Sequence, residues 1–295
     1  MGSTDAFDVL LENALHLRVA GGFHRSVSGG SVNVSLRVDT DRGPIFVKRG
    51  SADLYPRFET EARGLQLLSE AQAIRVPQVL GCAHNEQYAF IALEWIELSS
   101  NTRSSDAALG EQLAWQHRML ESRFGLDIDN TIGATLQRNS WCTEWTHFFR
   151  EHRLRAQLQL ARENGCSKAL FDRGELLCEL LDAFFSSYRP LPSLLHGDLW
   201  GGNWGTDAAQ MPVIFDPAVY YGDRETDIAM TKLFGGFGPS FYTAYQSTWP
   251  LDQAAGTRAT LYNAYHVLNH FNLFGGAYQS QAHSMIERLL AELGH

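Results

Sequence analysis

Apolar residues recur at helical spacing over residues 5–17 (Phe7, Leu10, Leu11, Ala14, Leu15), so the chain is expected to open with an amphipathic helix. The pattern then becomes turn-rich and afterwards alternating. Val32, Val34, Leu36 and Val38 mark a strand from Ser31 to Asp39, Gly43-Pro44 a turn, and Ile45-Phe46-Val47-Lys48 a second strand. Helical spacing returns from Pro56 to Glu70 (Phe58, Ala62, Leu65, Leu68), and Val76–Leu80 and Tyr88–Ile96 read as strands. Near Leu98 the regime changes. A polar connector (Ser99-Ser100-Asn101-Thr102, Ser104-Ser105) leads into helices expected at 106–122, 140–164, 170–188, 226–234, 237–248, 255–273 and 278–293. The block 194–216 stands apart as a loop between short apolar runs. The expectation is an α+β chain in two parts, a sheet-and-helix part over 1–97 and a mostly helical part over 98–295.

Composition narrows the classes. With 24 Lys and Arg against 33 Asp and Glu the net charge is −9, which argues against a nucleic-acid partner. Cys82, Cys142, Cys166 and Cys178 have neither C-x-x-C spacing nor the density of a disulfide scaffold, so reduced thiols in a cytoplasmic protein are expected. Met1 to Leu11 carries acidic residues and lacks the basic and apolar regions of a signal segment, and no stretch reaches the roughly 18 apolar residues of a membrane span. The expectation is a protein without a membrane association.

The chemistry concentrates in Leu195-His196-Gly197-Asp198-Leu199-Trp200-Gly201-Gly202-Asn203, followed by Val213-Ile214-Phe215-Asp216. In the protein-kinase loop H-R-D-x-x-x-x-N the aspartate accepts the proton of the acceptor hydroxyl, the asparagine binds Mg²⁺, and a later aspartate binds metal on the nucleotide phosphates. Asp198, Asn203 and Asp216 reproduce that spacing. Phosphoryl transfer asks a protein for alignment, a proton acceptor and charge neutralisation. Asp198 is the candidate base, and Asn203 and Asp216 are the hard oxygen ligands that suit Mg²⁺. Singly, each is equally well a turn residue or a strand terminator; it is the three together that point to chemistry.

Lys48 ends its strand as a phosphate-contacting kinase lysine does, and Glu61, inside the following helix on the face of Phe58 and Leu65, is its expected partner in preference to Glu59. Alone, Lys48 reads as a strand-end residue whose ammonium reaches water. Ser28-Gly29-Gly30-Ser31 offers backbone N–H groups to phosphates or is simply a turn. Trp200 either walls the acceptor site or packs under its loop. Asp227 opens a helix and is read as a capping or dipole-stabilising carboxylate, with support of the 196–203 loop or contact to a substrate amine as the alternatives. His266 and His270, four apart, fit a packed helix better than a metal pair. The arginines between Arg150 and Arg162 read as a solvated face.

These residues resemble the fructosamine kinase, or ketosamine-3-kinase, family. The resemblance rests on His196-Gly197-Asp198-Leu199-Trp200-x-Gly202-Asn203, on Asp216-Pro217-Ala218-Val219-Tyr220-Tyr221-Gly222-Asp223-Arg224-Glu225-x-Asp227-x-Ala229-Met230, and on Leu233-Phe234-Gly235-Gly236-Phe237. Tyr262-Asn263-x-Tyr265-His266-x-Leu268-Asn269-His270, Gly29-Gly30, Phe46-Val47-Lys48 and Phe58-x-x-Glu61-Ala62-x-Gly64-Leu65 extend it over about residues 20–275. It implies a bilobal protein-kinase-like fold, with a nucleotide-binding lobe at 1–97 and a catalytic and substrate lobe at 98–295. It also implies ATP-dependent phosphorylation of the O3 hydroxyl of ketoamines, free or on protein lysines. Because the 3-phosphate is unstable, the adduct is then shed, a deglycation repair. By that resemblance Asp198 is the base, Asn203 and Asp216 hold metal, Lys48 and Glu61 clamp phosphate, and Glu94-Trp95-Ile96 is the hinge that pairs with adenine. Two positions depart from it. Gly201 stands where Ser is more usual, a small-for-small change expected to be harmless, and Asp223 stands where His is common, on the expected substrate side. The alternatives are a related phosphotransferase acting on an aminoglycoside, choline or homoserine, and a nucleotide-binding pseudokinase, against which the intact Lys48, Asp198, Asn203 and Asp216 argue.

Overall fold

Alternation in the first hundred residues builds a sheet covered on both faces. The computed structural model describes residues 5–27 and 34–295, so the glycine turn expected at Gly29-Gly30 lies outside the described residues. The chain forms two compact units, 1–101 with 205–216, and 102–204 with 217–295. Residues 205–216 follow the connector by a hundred positions yet pack with the first unit.

In the first unit, α1 (Ala6–Leu15) starts at Asp5, whose carboxylate accepts from the Phe7 N–H. Strands β1 (Val19–Ser26), β2 (Val34–Thr40) and β3 (Gly43–Ser51) follow, then α2 (Tyr55–Glu70), β4 (Val79–His84) and β5 (Tyr88–Glu94). They form an antiparallel sheet in the order β1-β2-β3-β5-β4. β1 went unread in the sequence because its Ala20-Gly21-Gly22 carries no apolar alternation. Phe7 and Leu11 of α1 pack on Leu36, Val38, Ile45, Val47, Phe90 and Ala92, one face of the sheet. Strand side chains alternate, so Lys48 and Ile91 take the other face, against which α2 lays Phe58, Leu65 and Leu68. That double cover explains why β5 is buried continuously from Ala89 to Leu93.

The second unit begins with α3 (Arg103–Gln116), closed by a capping box between Thr102 and Ser105. The helix expected to reach 122 stops at Gln116. Residues 119–121 instead pair with the chain ahead of the 196–203 loop, the Leu194 N–H on Met119 O and the Glu121 N–H on Pro192 O. A hairpin of β6 (Asn130–Ile132) and β7 (Thr135–Gln137) follows, too short to give a periodic signal. The helix expected from 140 starts later, because Cys142 pairs with Phe124 first. It comprises α4 (Trp145–Phe149), a wide π turn at Arg150–Arg155 and α5 (Ala156–Glu163). Arg162 is exposed as the solvated-face reading expects, and Arg153, in the π turn, departs from it. Arg153 is fully buried, donating to Arg138 O at 2.6 Å and Asn139 Oδ1 at 2.7 Å, with its guanidinium 4.0 Å from the Tyr220 ring.

Next come α6 (Lys168–Leu180) with a 3₁₀ extension to Phe185, and β8 (Ser193–Leu195). The ribbon of β9 (Trp204–Thr206) and β10 (Pro212–Ile214) takes the chain into the first unit, where the Ser99 N–H donates to Thr206 O and Asp207 meets Arg75. β11 (Tyr220–Gly222) pairs antiparallel with β8. It is followed by α7 (Glu225–Leu233), α8 (Pro239–Thr248), α9 (Ala255–Phe274) and α10 (Tyr278–Glu292). α9 is buried without a break from Leu261 to Asn269, as expected of a helix surrounded by others.

α3 and α8 touch backbone to side at Gly110, where an added Cβ would lie 2.1 Å from the Phe241 carbonyl oxygen. The Gly110→Ala variant is expected to lose about 1–3 kcal/mol of stability, read as a lower urea midpoint at unchanged slope.

Candidate active site

β3 ends its buried run with a cation. Lys48 Nζ lies 2.7 Å from Glu61 Oε1 and 2.5 Å from Asp216 Oδ1, all within the first unit. Burial pulls the Lys48 ammonium down, but the carboxylates of Glu61 and Asp216 outweigh it and hold the group above its ordinary range. Glu61 is pushed up by burial, against which Lys48 works. Asp216, two residues beyond β10, adopts φ 57°, the left-handed region that is costly for a residue with a Cβ. Its side chain is 42% exposed, so one end of this clamp faces solvent.

The segment Glu94-Trp95-Ile96 leaves the sheet where the β3 ladder ends, at Ile45 opposite Glu94. The Glu94 carboxylate accepts from Arg75 at 2.6 Å. Trp95 is half-buried rather than core, its indole N–H donating to Glu97 and the Arg37 guanidinium lying 5.1 Å from its ring.

In the second unit β8 delivers His196, fully buried, then Gly197 at φ 83°. A Cβ at Gly197 would sit 2.0 Å from Ala218 O, so only glycine fits this turn. Asp198 follows half-exposed, and Leu199, fully buried, anchors the loop behind it. Asn203 Nδ2 donates to Asp198 O at 2.8 Å and to Asp198 Oδ2 at 3.2 Å. Both bonds use the nitrogen, so the amide oxygen is turned away from the Asp198 carboxylate. Trp200 is 40% exposed, with its indole folded over Gly202. Gly201 is tighter than its sequence suggested. A Cβ there would lie 3.0 Å from Gly235 O and Gly236 Cα, so a serine would need that backbone to retreat by a few tenths of an ångström.

Of the readings of Asp227, the structure bears out support of the 196–203 loop. Asp227 neither caps α7 nor faces a substrate: it is 1% exposed and accepts from the His196 N–H at 2.8 Å, the Gly197 N–H at 2.9 Å and His117 Nε2 at 3.1 Å. The start of α7 is served by Asp223, whose carboxylate accepts from the Glu225 N–H. Asp223 is also fully buried, holding the hydroxyls of Tyr262 at 2.5 Å and Tyr188 at 3.0 Å, so it does not line a substrate surface. His270 Nδ1 donates to the His266 carbonyl at 2.9 Å, and its ring lies 4.7 Å from that of Phe234. Burial pushes His266 down to about 3.

Sequence reasoning missed a set of buried amides. Gln137 Nε2 donates to Ala218 O, Asn130 Nδ2 donates to Val219 O, and the Ala218 N–H donates to His196 O at 2.8 Å. Tyr265 and Asn139 complete the cluster through Gln137 and Asn130. The only local signal was polar residues at positions a hairpin buries.

A fructosamine kinase family model matches residues 8–292. The chain belongs to the fructosamine kinase family. A Synechocystis protein named as a probable ketoamine kinase is 42% identical over 267 residues, covering 90% of each chain. The chloroplastic protein-ribulosamine 3-kinase of Arabidopsis thaliana is 40% identical over 271 residues, 91% of this chain and 82% of that one. A Haemophilus somnus structure named for fructosamine-3-kinase superposes with a TM-score of 0.88 at 30% identity over 96% of both chains. A macrolide 2′-phosphotransferase from Brachybacterium faecium, at 15% identity, 96% and 98% coverage and a TM-score of 0.61, shares the fold alone. The fold is protein-kinase-like, and the family is one of phosphotransferases.

Burial pushes the Asp227 carboxyl up, but the hydrogen bonds from His117 and the Gly197 N–H outweigh it and hold the group below its ordinary range. Stability from such a carboxyl is present above its unfolded value and lost as pH falls through the lower folded one. An amide at this position presents its NH₂ to a backbone N–H. Asp227→Asn is expected to cost about 3 kcal/mol at pH 7, with the gap to the wild type closing below about pH 4; urea unfolding at both pH values measures it.

Proposed function

We propose that this protein is an ATP-dependent ketoamine 3-kinase, with Asp198 as its base. The observation that supports this most is the built loop: Asp198 is tied to Asn203, and the peptides before it are clamped by a buried carboxylate. In this reading Asp198 accepts the proton of the sugar O3 hydroxyl as that oxygen bonds to the γ-phosphorus. The bond from the γ-phosphorus to the bridging oxygen breaks and ADP leaves.

Lys48, kept charged by Glu61, contacts the nucleotide phosphates, which compete with Asp216 for its ammonium. Gly29 and Gly30 would add backbone donors, and Glu94, Trp95 and Ile96 would meet the adenine. Asn203 in the second unit, with its amide oxygen turned from Asp198, and Asp216 in the first, with its exposed carboxylate, are each hard oxygen donors of the kind Mg²⁺ takes. The ion would supply charge neutralisation for the transferring phosphoryl group. Trp200, exposed beside the base, offers an apolar wall to the sugar.

The acceptor class follows the relatives named for ketoamines and for protein-bound ribulosamine. We take the substrate to be a ribulosamine or fructosamine adduct, small or on a protein lysine, and the activity to be deglycation repair. No helix among the described residues is long and apolar enough to cross a membrane, and we assign the work to the cytoplasm.

The test is Mg²⁺-dependent ADP release with ribulosyl- and fructosyl-lysine, with choline and kanamycin as controls. Turnover on a ketoamine is expected to fall by about 10³-fold or more in Asp198→Asn while ATP binding is kept. Unchanged kcat in that variant overturns the base, and turnover on a control alone overturns the acceptor.

A further inference from the structure

One residue of the first unit is bonded toward both ends of the proposed nucleotide site. Arg75 lies between α2 and β4. Its Nη2 donates to Glu94 Oε1 at 2.6 Å and its Nη1 to Asp207 Oδ2 at 2.5 Å, a fork with one carboxylate on each prong. Its carbonyl oxygen accepts from the Ile214 N–H at 3.0 Å, where the chain at Arg75 runs parallel to Val213. Glu94 ends β5 and opens the segment read as the adenine hinge; Ile214 ends β10, two residues before Asp216. A single side chain and its own peptide thus join the hinge to the ribbon that delivers Asp216.

Both carboxylates are fully engaged. Glu94 Oε2 accepts from the Gln78 N–H at 3.3 Å, and the Glu94 N–H donates to Gln78 O at 2.8 Å. Asp207 Oδ1 accepts from the Ala209 and Met211 N–H groups, each at 2.9 Å, and so closes the turn between β9 and β10. The side chains of Arg75 and Glu94 are nonetheless 40% and 34% exposed. Ion pairs this open to water add little to stability. What a planar guanidinium held at two points does fix is distance and direction, which an ammonium cannot.

We propose that Arg75 is a positioning residue for ATP: by joining Glu94 to the β9–β10 ribbon it sets the separation between the hinge that meets adenine and the Asp216 carboxylate that meets metal on the phosphates. The proposal rests on those proposed roles of the hinge and of Asp216. ATP is one molecule that must satisfy both ends at once. When the first end is bound, the second binds as an intramolecular partner, at an effective concentration that is highest where the spacing of the two subsites matches the ligand. A frame fixed in advance also removes the cost of ordering it on binding. Ser99 keeps the ribbon attached by other bonds, its N–H to Thr206 O at 2.7 Å and its hydroxyl to Asp207 O at 3.0 Å. Without the fork, therefore, the ribbon stays on the unit but is no longer locked to Glu94.

The test separates the two ends of the nucleotide. Kd is measured on the intact protein for adenosine, for Mg²⁺-tripolyphosphate and for Mg²⁺-ATP, with urea unfolding alongside. In Arg75→Ala, adenosine and tripolyphosphate are expected to bind within about twofold of the wild type while Mg²⁺-ATP weakens about tenfold. The urea midpoint is expected to stay nearly unchanged, as for any half-exposed ion pair. Asp207→Asn, whose amide oxygen still takes the turn N–H groups while its NH₂ faces Arg75, opens the ribbon prong alone and should match the ATP loss. Arg75→Lys, which reaches one carboxylate at a time, should leave most of that loss in place. Adenosine weakened as much as ATP makes Arg75 a support of the hinge alone and overturns the proposal. So does unchanged ATP affinity in Arg75→Ala or in Asp207→Asn, or full recovery in Arg75→Lys. Each of these results overturns the role of Arg75 alone, whereas a wild-type protein that binds no Mg²⁺-ATP overturns the proposed function with it.

Discussion

A carboxylate taken out of water must find donors, and Asp227 finds three. Ionised and almost wholly enclosed, it would be prohibitively costly alone. The peptide N–H groups of His196 and Gly197 and the ring of His117 remove that cost. Much of the helical unit follows from this requirement. α7 must present its first turn to the loop, α3 must end where His117 can reach, and the chain at Gly197 must turn left-handed so that consecutive N–H groups converge. The turn in turn admits the Ala218 peptide, which a side chain at 197 would expel.

The amides around Ala218 and Val219 apply the same rule to the opposite partners. There, carbonyl oxygens are buried and need donors, which Gln137, Asn130 and, through Asn139, Arg153 provide. The π turn after α4 brings Arg153 inward as part of this arrangement. One segment is thus held by its N–H groups and its neighbour by its carbonyls, with the bond from Ala218 N–H to His196 O between them. A loop so restrained holds the Asp198 and Asn203 side chains with little freedom to lose when a substrate arrives.

The first unit solves a different problem, keeping a buried lysine charged. Alternation along β3 puts Lys48 on the face away from Phe7 and Leu11, and α2 brings Glu61 to that face. With Asp216 as the second carboxylate, the pair of anions compensates for burial. In the proposed reaction that charge belongs to the phosphates of ATP, so the same electrostatics that stabilise this unit prepare it for nucleotide.

The sequence by itself determined the elements with long, clean periodicity, which are α1, α2, β3, β5 and the C-terminal helices from α7 to α10. It also offered the candidate residues for the proposed phosphoryl transfer, because Asp198, Asn203 and Asp216 lie close along the chain and spacing reports on them. Tertiary structure decided the remainder. α3 ended early because residues 119–121 found a strand partner that no local preference encodes, and β6 and β7 are too short for a period to register. Asp227, Asp223, Arg153 and His117 acquired their tasks from partners up to more than a hundred residues away. A polar residue reads as exposed until folding buries it, and what it must then bond to is decided by where the distant chain has been brought.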